Sequence, residues 1–445
     1  MTSNGYGASS MADADVDSQI EYTGRYLVLL DQDDPKAGLD ALTSGAGVAS
    51  AEHVPSGASG IRALEEGGTV VLDDLGIAIV DTAPDQRSAL EATVASTPSL
   101  ISVEPERVLR AFTERTATRT GEYFDGYCDG YAHGVADLTG RVRGDGQPRA
   151  GVPQAAAPPP WDESQATWGL QAVLATETTL TGAGIGVAIL DTGIDASHPD
   201  LAGRVVQSAS FVPGETVDDG HGHGTHCAGT ACGPKRPAAG PRYGVACEAG
   251  IFVGKVLNNR GRGPDGQILG GINWAIAQRS VRVISMSLGL PMALGDGYSR
   301  IYERAARRAM QRGIVMVAAA GNESRRPARI APVGQPANCP SILAVGAVGP
   351  DFSIAPFSCG GLNPNGGGVD MVGPGVDVLS TWRGGGYRRL DGTSMATPHV
   401  AGLTALLWEQ NPGASASQIV ALLRAGTRNL ALPVSDAGLG LAQAP

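Results

Sequence analysis

Hydrophobic and polar positions follow a strand-and-helix alternation over the larger part of this 445-residue chain. From residue 168 onward, short and nearly continuous apolar runs are separated by stretches with helical spacing. Such runs are typical of strands that are covered on both faces. The clearest are residues 185–190, 251–257, 281–287, 314–319 and 342–348. With helices at 265–278 and 300–312, the pattern predicts an α/β fold with a doubly wound parallel sheet.

The first part of the chain has a different pattern. Four short apolar runs and two helical segments predict a small α+β unit that ends near Phe112. From residue 113 the periodicity is lost and Gly, Pro, Ala and charged residues predominate. We therefore predict a disordered terminus at 1–20, the α+β unit at 21–112, a linker at 113–165 and the α/β domain at 166–445. An aromatic patch at 123–131 is either a docking segment or a local turn cluster.

Composition narrows the possible partners and locations. The formal net charge of −11 argues against nucleic acid and against an anionic membrane as partners. The first twenty residues are polar and acidic, and no apolar run is long enough to cross a bilayer. These features predict a cytoplasmic protein, with export by another route left open. The six cysteines include no CxxC pair and are expected to be reduced.

Two polar motifs in the second part carry candidate chemistry. Asp191 follows the predicted strand 185–190, where an acidic side chain needs a hydrogen-bond donor or caps a turn. His221, His223 and His226 lie within six residues. They indicate either metal ligation or a helix start that presents one imidazole as a general base. The HExxH spacing of zinc hydrolases is absent, which favours the general base.

Ser394 lies at the start of a predicted helix, just after a Gly-Thr pair. Taken alone, this pattern is most often a helix N-cap. Together with Asp191 and His223, however, it supplies the parts of a nucleophilic triad. Asn322 follows the predicted strand 313–320, from which its amide would help to bind an oxyanion together with the backbone N–H of Ser394.

These motifs resemble those of the subtilisin-like serine proteases, in that family's chain order of Asp, His and Ser. The matching segments are Asp191-Thr192-Gly193, residues 223–229, residues 319–322 and residues 392–398, and the likeness extends from residue 168 to the end. The resemblance implies that Ser394 is the nucleophile, His223 the general base and Asp191 its orienting carboxylate. Cys227 is similar to a cysteine of the proteinase K branch, which packs behind the catalytic imidazole.

The resemblance also outlines a substrate cleft. Two extended segments are similar to those between which the family holds a peptide as an added strand, and a third resembles the floor of the pocket for the residue before the scissile bond. The residues implied are Gly261, Gly263, Ser287, Leu288, Gly289 and Gly334. Asp265, Arg325, Arg326 and Arg329 are unusual charges near this cleft. They either select charged substrates or form a solvated rim, and we expect the rim.

The resemblance raises the question of whether this protein binds calcium. Asp200 matches a calcium ligand of the family, but the loop at 233–240 carries Lys235 and Arg236, which repel a cation. We therefore expect that no cofactor is required.

The front unit resembles the propeptide of the same family, an intramolecular chaperone and inhibitor. Glu104 and Glu106 look like its acidic end, which in relatives caps the N-termini of two helices. The following residues would then occupy the cleft as product, which implies self-cleavage after Phe112. An unrelated α+β module is the alternative.

The sequence therefore predicts a serine endopeptidase that acts on peptides or proteins and is made as a self-processing zymogen. Three alternatives remain at this stage. The first is a cytoplasmic protease that matures one precursor peptide. The second is an inactive binding protein with the subtilase fold, and the third is a histidine-rich metal hydrolase.

Overall fold

The structure is a computed structural model that describes residues 20–48, 51–57, 68–82, 86–112 and 161–445. The predicted disordered terminus up to residue 19, the linker from 113 to 160, the aromatic patch at 123–131 and Cys128 lie outside these ranges. Within the ranges, none of the helices is both long and apolar enough to cross a bilayer. The five cysteines that lie inside them are free thiols and are buried.

The main domain, residues 161–445, is built on one seven-stranded sheet in which all neighbouring strands are parallel. The strand order is β14-β13-β12-β10-β6-β8-β7. The bounds are β6 Gly186–Asp191, β7 Val205–Ser210, β8 Gly250–Lys255, β10 Val281–Met286, β12 Val315–Ala319, β13 Leu343–Val348 and β14 Met371–Pro374. The predicted α/β fold with a parallel sheet is thus confirmed. The pattern missed β7, which has exposed residues, and the short β14.

Helices cover this sheet in two layers. Helices α4 and α7 contact each other and the sheet, whereas α5 and α6 form a second contacting pair. The main-domain helices are α3 Trp168–Ala172, α4 His223–Cys232, α5 Asp265–Ala275, α6 Arg300–Gln311, α7 Thr393–Gln410, α8 Ala416–Ala425 and α9 Val434–Ala437. Helix α7 is buried on every side from Thr393 to Trp408 because it passes through the domain centre.

In the described residues between 20 and 112, the front unit has a sheet of five strands and two helices. Its strands are β1 Tyr22–Leu30, β2 Glu52–Val54, β3 Val70–Leu72, β4 Ile77–Val80 and β5 Leu100–Ala111, and its helices are α1 Pro35–Gly45 and α2 Arg87–Ser96. The order is β5-β1-β4-β3-β2. Strand β5 continues to Ala111, well beyond the short apolar run at 100–103 from which the sequence predicts a strand. Its last residues pair with β9 Arg262–Pro264 and β11 Leu288–Gly289 of the main domain.

The main domain begins before the predicted boundary at residue 166. Trp161 packs edge-on against Phe352 and lies beside Trp168, and its indole N–H donates to the Pro350 carbonyl oxygen at 2.9 Å. Residues 161–165 therefore belong to the packed domain rather than to a linker. The linker prediction rested on the preceding prolines, and one tryptophan gave no periodic signal to oppose it.

A candidate active site at the carboxyl edge of the sheet

Asp191 and His223 meet at the carboxyl edge of the parallel sheet. Asp191 is the last residue of β6, and His223 is the first residue of α4. The Asp191 Oδ1 atom lies 2.7 Å from His223 Nδ1, and both side chains are fully buried. The same carboxylate oxygen accepts the Thr192 N–H at 2.7 Å. These contacts hold the imidazole with Nδ1 toward the carboxylate and leave Nε2 for a different partner.

The Asp191 carboxylate also favours the protonated form of the His223 imidazole. Burial by itself would lower the pKa of His223, because it disfavours the charged form. The Asp191 carboxylate and the neighbouring Cys227 outweigh burial and hold the pKa of His223 well above its usual range. The Cys227 Sγ atom lies 3.9 Å from His223 Nδ1, behind the ring.

Asp219 joins these two elements, and the sequence analysis gave it no role. Its Oδ1 atom accepts from Thr192 Oγ1 at 2.9 Å and from the Gly222 N–H at 2.7 Å. Its Oδ2 atom accepts the N–H of Thr225 at 2.9 Å and the hydroxyl of the same residue at 2.7 Å. A carboxylate in this position satisfies the free N–H groups at the start of α4. The sequence signal was the Asp-Gly turn four residues before His223.

Ser394 is the second residue of α7 and is fully buried. Its hydroxyl donates to the Ser287 carbonyl oxygen at 3.0 Å, and the Ser287 hydroxyl donates to the Ser394 carbonyl oxygen at 2.8 Å. Among the described residues, His223 Nε2 has no hydrogen-bond partner. Asp191 and His223 are thus hydrogen-bonded to each other, whereas the Ser394 hydroxyl is hydrogen-bonded to Ser287 and not to His223.

The Asn322 amide faces a carbonyl group of the front unit. Its Nδ2 atom donates to the Phe112 carbonyl oxygen at 3.1 Å. Its Oδ1 atom accepts the Thr393 N–H at 3.0 Å and the Thr393 hydroxyl at 2.8 Å, which fixes the direction of the amide. Thr393 was not among the predicted site residues. In the described part of the chain, no hydrogen bond joins the Ser394 N–H to Phe112, so this second oxyanion donor remains a prediction.

The end of β5 lies as an added strand between the two extended segments of the main domain. Leu109 is opposite Gly263 in β9, and Arg110 is opposite Gly289 in β11. The Ala111 N–H donates to the Gly261 carbonyl oxygen at 3.0 Å. The segments inferred from the sequence to hold a peptide, including Leu288, therefore hold part of this chain.

The Phe112 side chain occupies a pocket next to this strand. A Cβ atom on Gly289 would lie 2.6 Å from the Phe112 ring, and one on Gly334 would lie 3.6 Å from it. The Gly334 position would also bring a Cβ within 2.7 Å of the Leu290 carbonyl oxygen. A side chain at Gly289 would therefore collide with the aromatic ring. Phe112 and Gly289 also line a neighbouring cavity together with Glu323, and burial raises the pKa of that carboxyl group.

Carboxylates of the front unit meet the N-termini of two main-domain helices. Glu104 Oε1 accepts the Arg300 N–H at 2.8 Å at the start of α6. Glu106 Oε1 accepts the Gly266 N–H at 2.9 Å at the start of α5. Free N–H groups and the helix dipole favour negative charge at both positions.

The prediction of a solvated rim is wrong for Asp265, which is fully buried. Its Oδ1 atom accepts the Tyr302 hydroxyl at 2.8 Å, and its Oδ2 atom accepts the Arg107 N–H at 2.8 Å. Arg326 is also turned away from solvent, since it forms a two-point ion pair with Asp436. Arg325 and Arg329 are exposed, as expected.

The three neighbouring histidines do not converge on one point. The His226 Nε2 atom lies 3.0 Å from the Val378 carbonyl oxygen in β15 Val378–Trp382, and burial lowers the pKa of His226 to about 3. The rings of His221 and His223 are 6.2 Å apart. Asp191, His223 and Cys227 have ligand atoms within 4.8 Å of one another and are a possible metal group. Two of these atoms, however, already form the Asp–His hydrogen bond.

The position implied for calcium is filled by hydrogen-bond donors. Asp200 Oδ1 accepts the Ala238 N–H at 2.7 Å, and Oδ2 accepts the hydroxyls of Tyr243 at 2.5 Å and of Tyr387 at 2.8 Å. Burial and the Asp200 charge raise the pKa of Tyr387 to about 12, so this hydroxyl keeps its proton. These donors engage both carboxylate oxygens that a calcium ion would need.

One protein-family model and several subtilisins match this chain. The model of the subtilase family matches residues 182–441. Subtilisin DY from Bacillus licheniformis is 42% identical over 250 residues, which are 56% of this chain and 85% of that protein. Subtilisin BL from Lederbergia lenta is 42% identical over 256 residues, or 57% of this chain and 87% of that protein. Subtilisin E from Bacillus subtilis (strain 168) is 42% identical over 54% of this chain and 59% of that protein.

Proposed function

Because the chain belongs to the subtilase family and is a subtilisin-like serine endopeptidase, we propose that Ser394 is its nucleophile, His223 its general base and Asp191 the carboxylate that orients the base. The 2.7 Å contact between Asp191 and His223 supports this assignment. It fixes the tautomer in which Nε2 is free to accept a proton, and it stabilises the imidazolium that forms.

The proposed reaction is acyl transfer through Ser394. The hydroxyl turns from the Ser287 carbonyl to His223 Nε2, gives up its proton and attacks the peptide carbonyl carbon. The tetrahedral intermediate collapses when the carbon–nitrogen bond breaks and His223 returns the proton to the leaving amine. Water then hydrolyses the ester, with His223 acting again as base. Catalytic hydrogen bonds of this kind often tighten only in the transition-state complex, so the present Ser394 contact is compatible with the role.

The developing oxyanion is bound, in this proposal, by the Asn322 amide and the Ser394 N–H. The contact from Asn322 Nδ2 to the Phe112 carbonyl oxygen is the observation that carries the proposal most strongly. It brings a peptide carbonyl to the amide that must stabilise its negative charge. Thr393 keeps that amide aligned and therefore acts as a positioning residue.

We further propose that the front unit is a propeptide and that the enzyme cleaves its own chain after Phe112. The pairing of β5 with β9 and β11 supports this, because it is the arrangement expected for a bound peptide. The aromatic ring between Gly289 and Gly334 supports a preference for large apolar residues before the scissile bond.

Two finer assignments are part of the same proposal. The Cys227 thiol behind the imidazole supports a place in the proteinase K branch. The tyrosine hydroxyls on Asp200 support an enzyme that requires no calcium at that site.

Covalent labelling with a serine-directed phosphonate tests the assignment of the nucleophile. The purified full chain, after it has had time to process itself, should be labelled at Ser394. Labelling should be lost in Ser394→Ala and retained in Ser353→Ala, which changes an exposed loop serine. Labelling that persists in Ser394→Ala would refute the proposal.

A further inference from the structure

Arg107 occupies a defined place relative to the proposed cleavage point. It is the sixth residue counted back from that bond, with Phe112 as the first. It lies in β5 just before the residues that pair with β9. Only 14% of its side chain is exposed. A guanidinium buried to this extent needs partners that offset its lost hydration.

The main domain supplies two of these partners. Asp265 Oδ2 accepts the Arg107 backbone N–H at 2.8 Å and lies 3.8 Å from Arg107 Nε. Gln335 Oε1 accepts from Arg107 Nη2 at 2.8 Å. In the described part of the front unit, Arg107 Nη2 also contacts Glu104 Oε2 at 3.3 Å. The shortest hydrogen bond of this guanidinium, to Gln335, and one of its two nearby carboxylates, Asp265, therefore belong to the domain that would remain after cleavage.

Both main-domain partners are held in place independently of the front unit. Asp265 is the first residue of α5, and its Oδ1 atom accepts the Tyr302 hydroxyl from α6. Gln335 is almost fully buried, and its backbone forms two hydrogen bonds with Leu290, at 2.9 and 3.0 Å. Another peptide that replaced β5 would meet the same carboxylate and amide oxygen at its sixth position.

We propose that Asp265 and Gln335 form a remote acidic subsite that selects substrates with a basic residue, arginine before lysine, at the sixth position before the scissile bond. The proposal rests on the proposed function, because it takes the β5 strand as a model of bound substrate. It assigns a substrate class: peptides with a large apolar residue next to the cut and a cation five residues further toward the N-terminus.

Arginine should be preferred because Gln335 accepts a hydrogen bond from one guanidinium nitrogen while the Asp265 carboxylate lies at ion-pair distance from another. Asp265 lies on the Nε side and Gln335 is bonded to Nη2. A lysine ammonium is a single point charge and satisfies such a fork less well. Glutamine would leave the Asp265 charge without a counter-ion, and glutamate would add a second negative charge beside it.

Peptide hydrolysis by the self-processed full chain tests this subsite. The parent peptide is Arg-Val-Leu-Arg-Ala-Phe, the sequence of residues 107–112, followed by a reporter amine. Its first residue is then changed to lysine, glutamine or glutamate. We expect kcat/KM to be about tenfold to a hundredfold higher for arginine than for glutamine, the effect of one hydrogen-bonded charge. Lysine should lie between them and glutamate should be slowest.

The variant Asp265→Asn should bring the ratio of arginine to glutamine close to one while the glutamine peptide is still cleaved. Glu177→Gln, which removes one exposed carboxylate, should leave the ratio unchanged. If Asp265→Asn does not fold, Gln335→Ala should still lower the ratio. Equal rates for the arginine and glutamine peptides would overturn the subsite and leave the proposed function standing. Failure to cleave any peptide, together with no phosphonate labelling, would overturn the proposed function and the subsite with it.

Discussion

The front unit and the main domain bury their sheets in different ways. The main-domain sheet is covered on both faces by helices of the same domain. The two described helices of the front unit pack on one face of its sheet, where alternate residues such as Val28 and Leu30 form a small core. The opposite face joins the core of the main domain through Leu27, Leu29, Val54, Val70, Leu72, Leu75, Ile77 and Ile79.

This difference implies that the main domain has a self-contained core and that the front unit does not. Burying one such side chain contributes about 1.5–3 kcal/mol, so the shared face is a large part of what stabilises the front unit. Because the front unit depends on the main domain for half of its core, we expect it to stay folded while it is attached and to unfold once it is released. Substitutions at Ser394, Glu106, Asp265 and Tyr387 test this difference between the two regions.

The largest effect is expected for Ser394→Ala, which should keep the two regions in one uncut chain. Because members of a triad act as a unit, turnover of a chromogenic peptide should fall on the order of a million-fold, the magnitude established for subtilisin. The same assay on Ser353→Ala should give parent activity. A residual rate in Ser394→Ala within tenfold of the parent would contradict the assignment, with roughly tenfold corresponding to 1.4 kcal/mol of barrier.

The next largest effect concerns Glu106, which is fully buried at the contact between the two regions. It accepts from Arg25 Nε at 2.7 Å and from the Gly266 N–H at 2.9 Å. In the Ser394→Ala background, Glu106→Ala should lower the unfolding free energy of the front unit by about 1.5–3 kcal/mol, because the hydrogen bonds that this buried carboxylate accepts are lost. Hydrogen exchange of the β1 amides, followed by mass spectrometry, measures this change.

The matched control for Glu106→Ala is Glu91→Ala in α2. Glu91 pairs with Arg87 on the exposed face of that helix. Removing an exposed pair of this kind should cost roughly 0.5 kcal/mol or less. Equal losses of β1 protection in the two variants would contradict a junction held together by buried carboxylates.

A third, smaller effect concerns Asp265, which lies between the front unit and the main domain. Titration of its carboxyl group should make the unfolding free energy depend on pH. Burial raises the pKa of Asp265 to about 7, although Arg107 opposes the shift, and Tyr302 and Glu106 also face the carboxyl group. The unfolded chain has the ordinary value of 3.8, so the folded chain binds the proton more tightly. This contribution to stability is present below 3.8 and is lost as the pH rises through about 7.

Asp265→Asn should remove that dependence. In the Ser394→Ala background, the difference in unfolding free energy between the variant and its parent should shift in favour of the variant up to about pH 7 and then level off. Urea unfolding followed by tryptophan fluorescence across this range measures it. A difference that does not change with pH would refute the raised pKa.

The smallest effect concerns the main domain alone. Tyr387→Phe should lower its unfolding free energy by about 1 kcal/mol, because one hydrogen bond to a buried carboxylate is lost. Calcium should not restore the lost stability. Thermal unfolding with chelator and with added calcium measures both statements. A rise in Tm with calcium that is absent from Asp200→Asn would show that the site binds the ion.

The pattern of apolar and polar residues predicted the main-domain sheet and the positions of the main site residues. The parallel sheet followed from apolar runs with near-correct bounds, and the positions of Asp191, His223 and Ser394 followed from strand ends and helix starts. The sequence could not predict that β5 continues to Ala111, because residues 104–111 carry charges and the last four of them form a strand by pairing with another domain. Nor could it predict that Asp265 is buried, since its cover comes from Arg107, more than 150 residues earlier.

We propose that the main domain cuts the chain after Phe112 and leaves the front unit in the cleft. N-terminal sequencing and intact-mass measurement of the purified parent chain and of Ser394→Ala reveal where the chain is cut. We expect the parent to yield a fragment beginning at residue 113 and one ending at Phe112, whereas Ser394→Ala should remain whole. A parent chain that is never cut, or one that is cut first within 113–160, would contradict it.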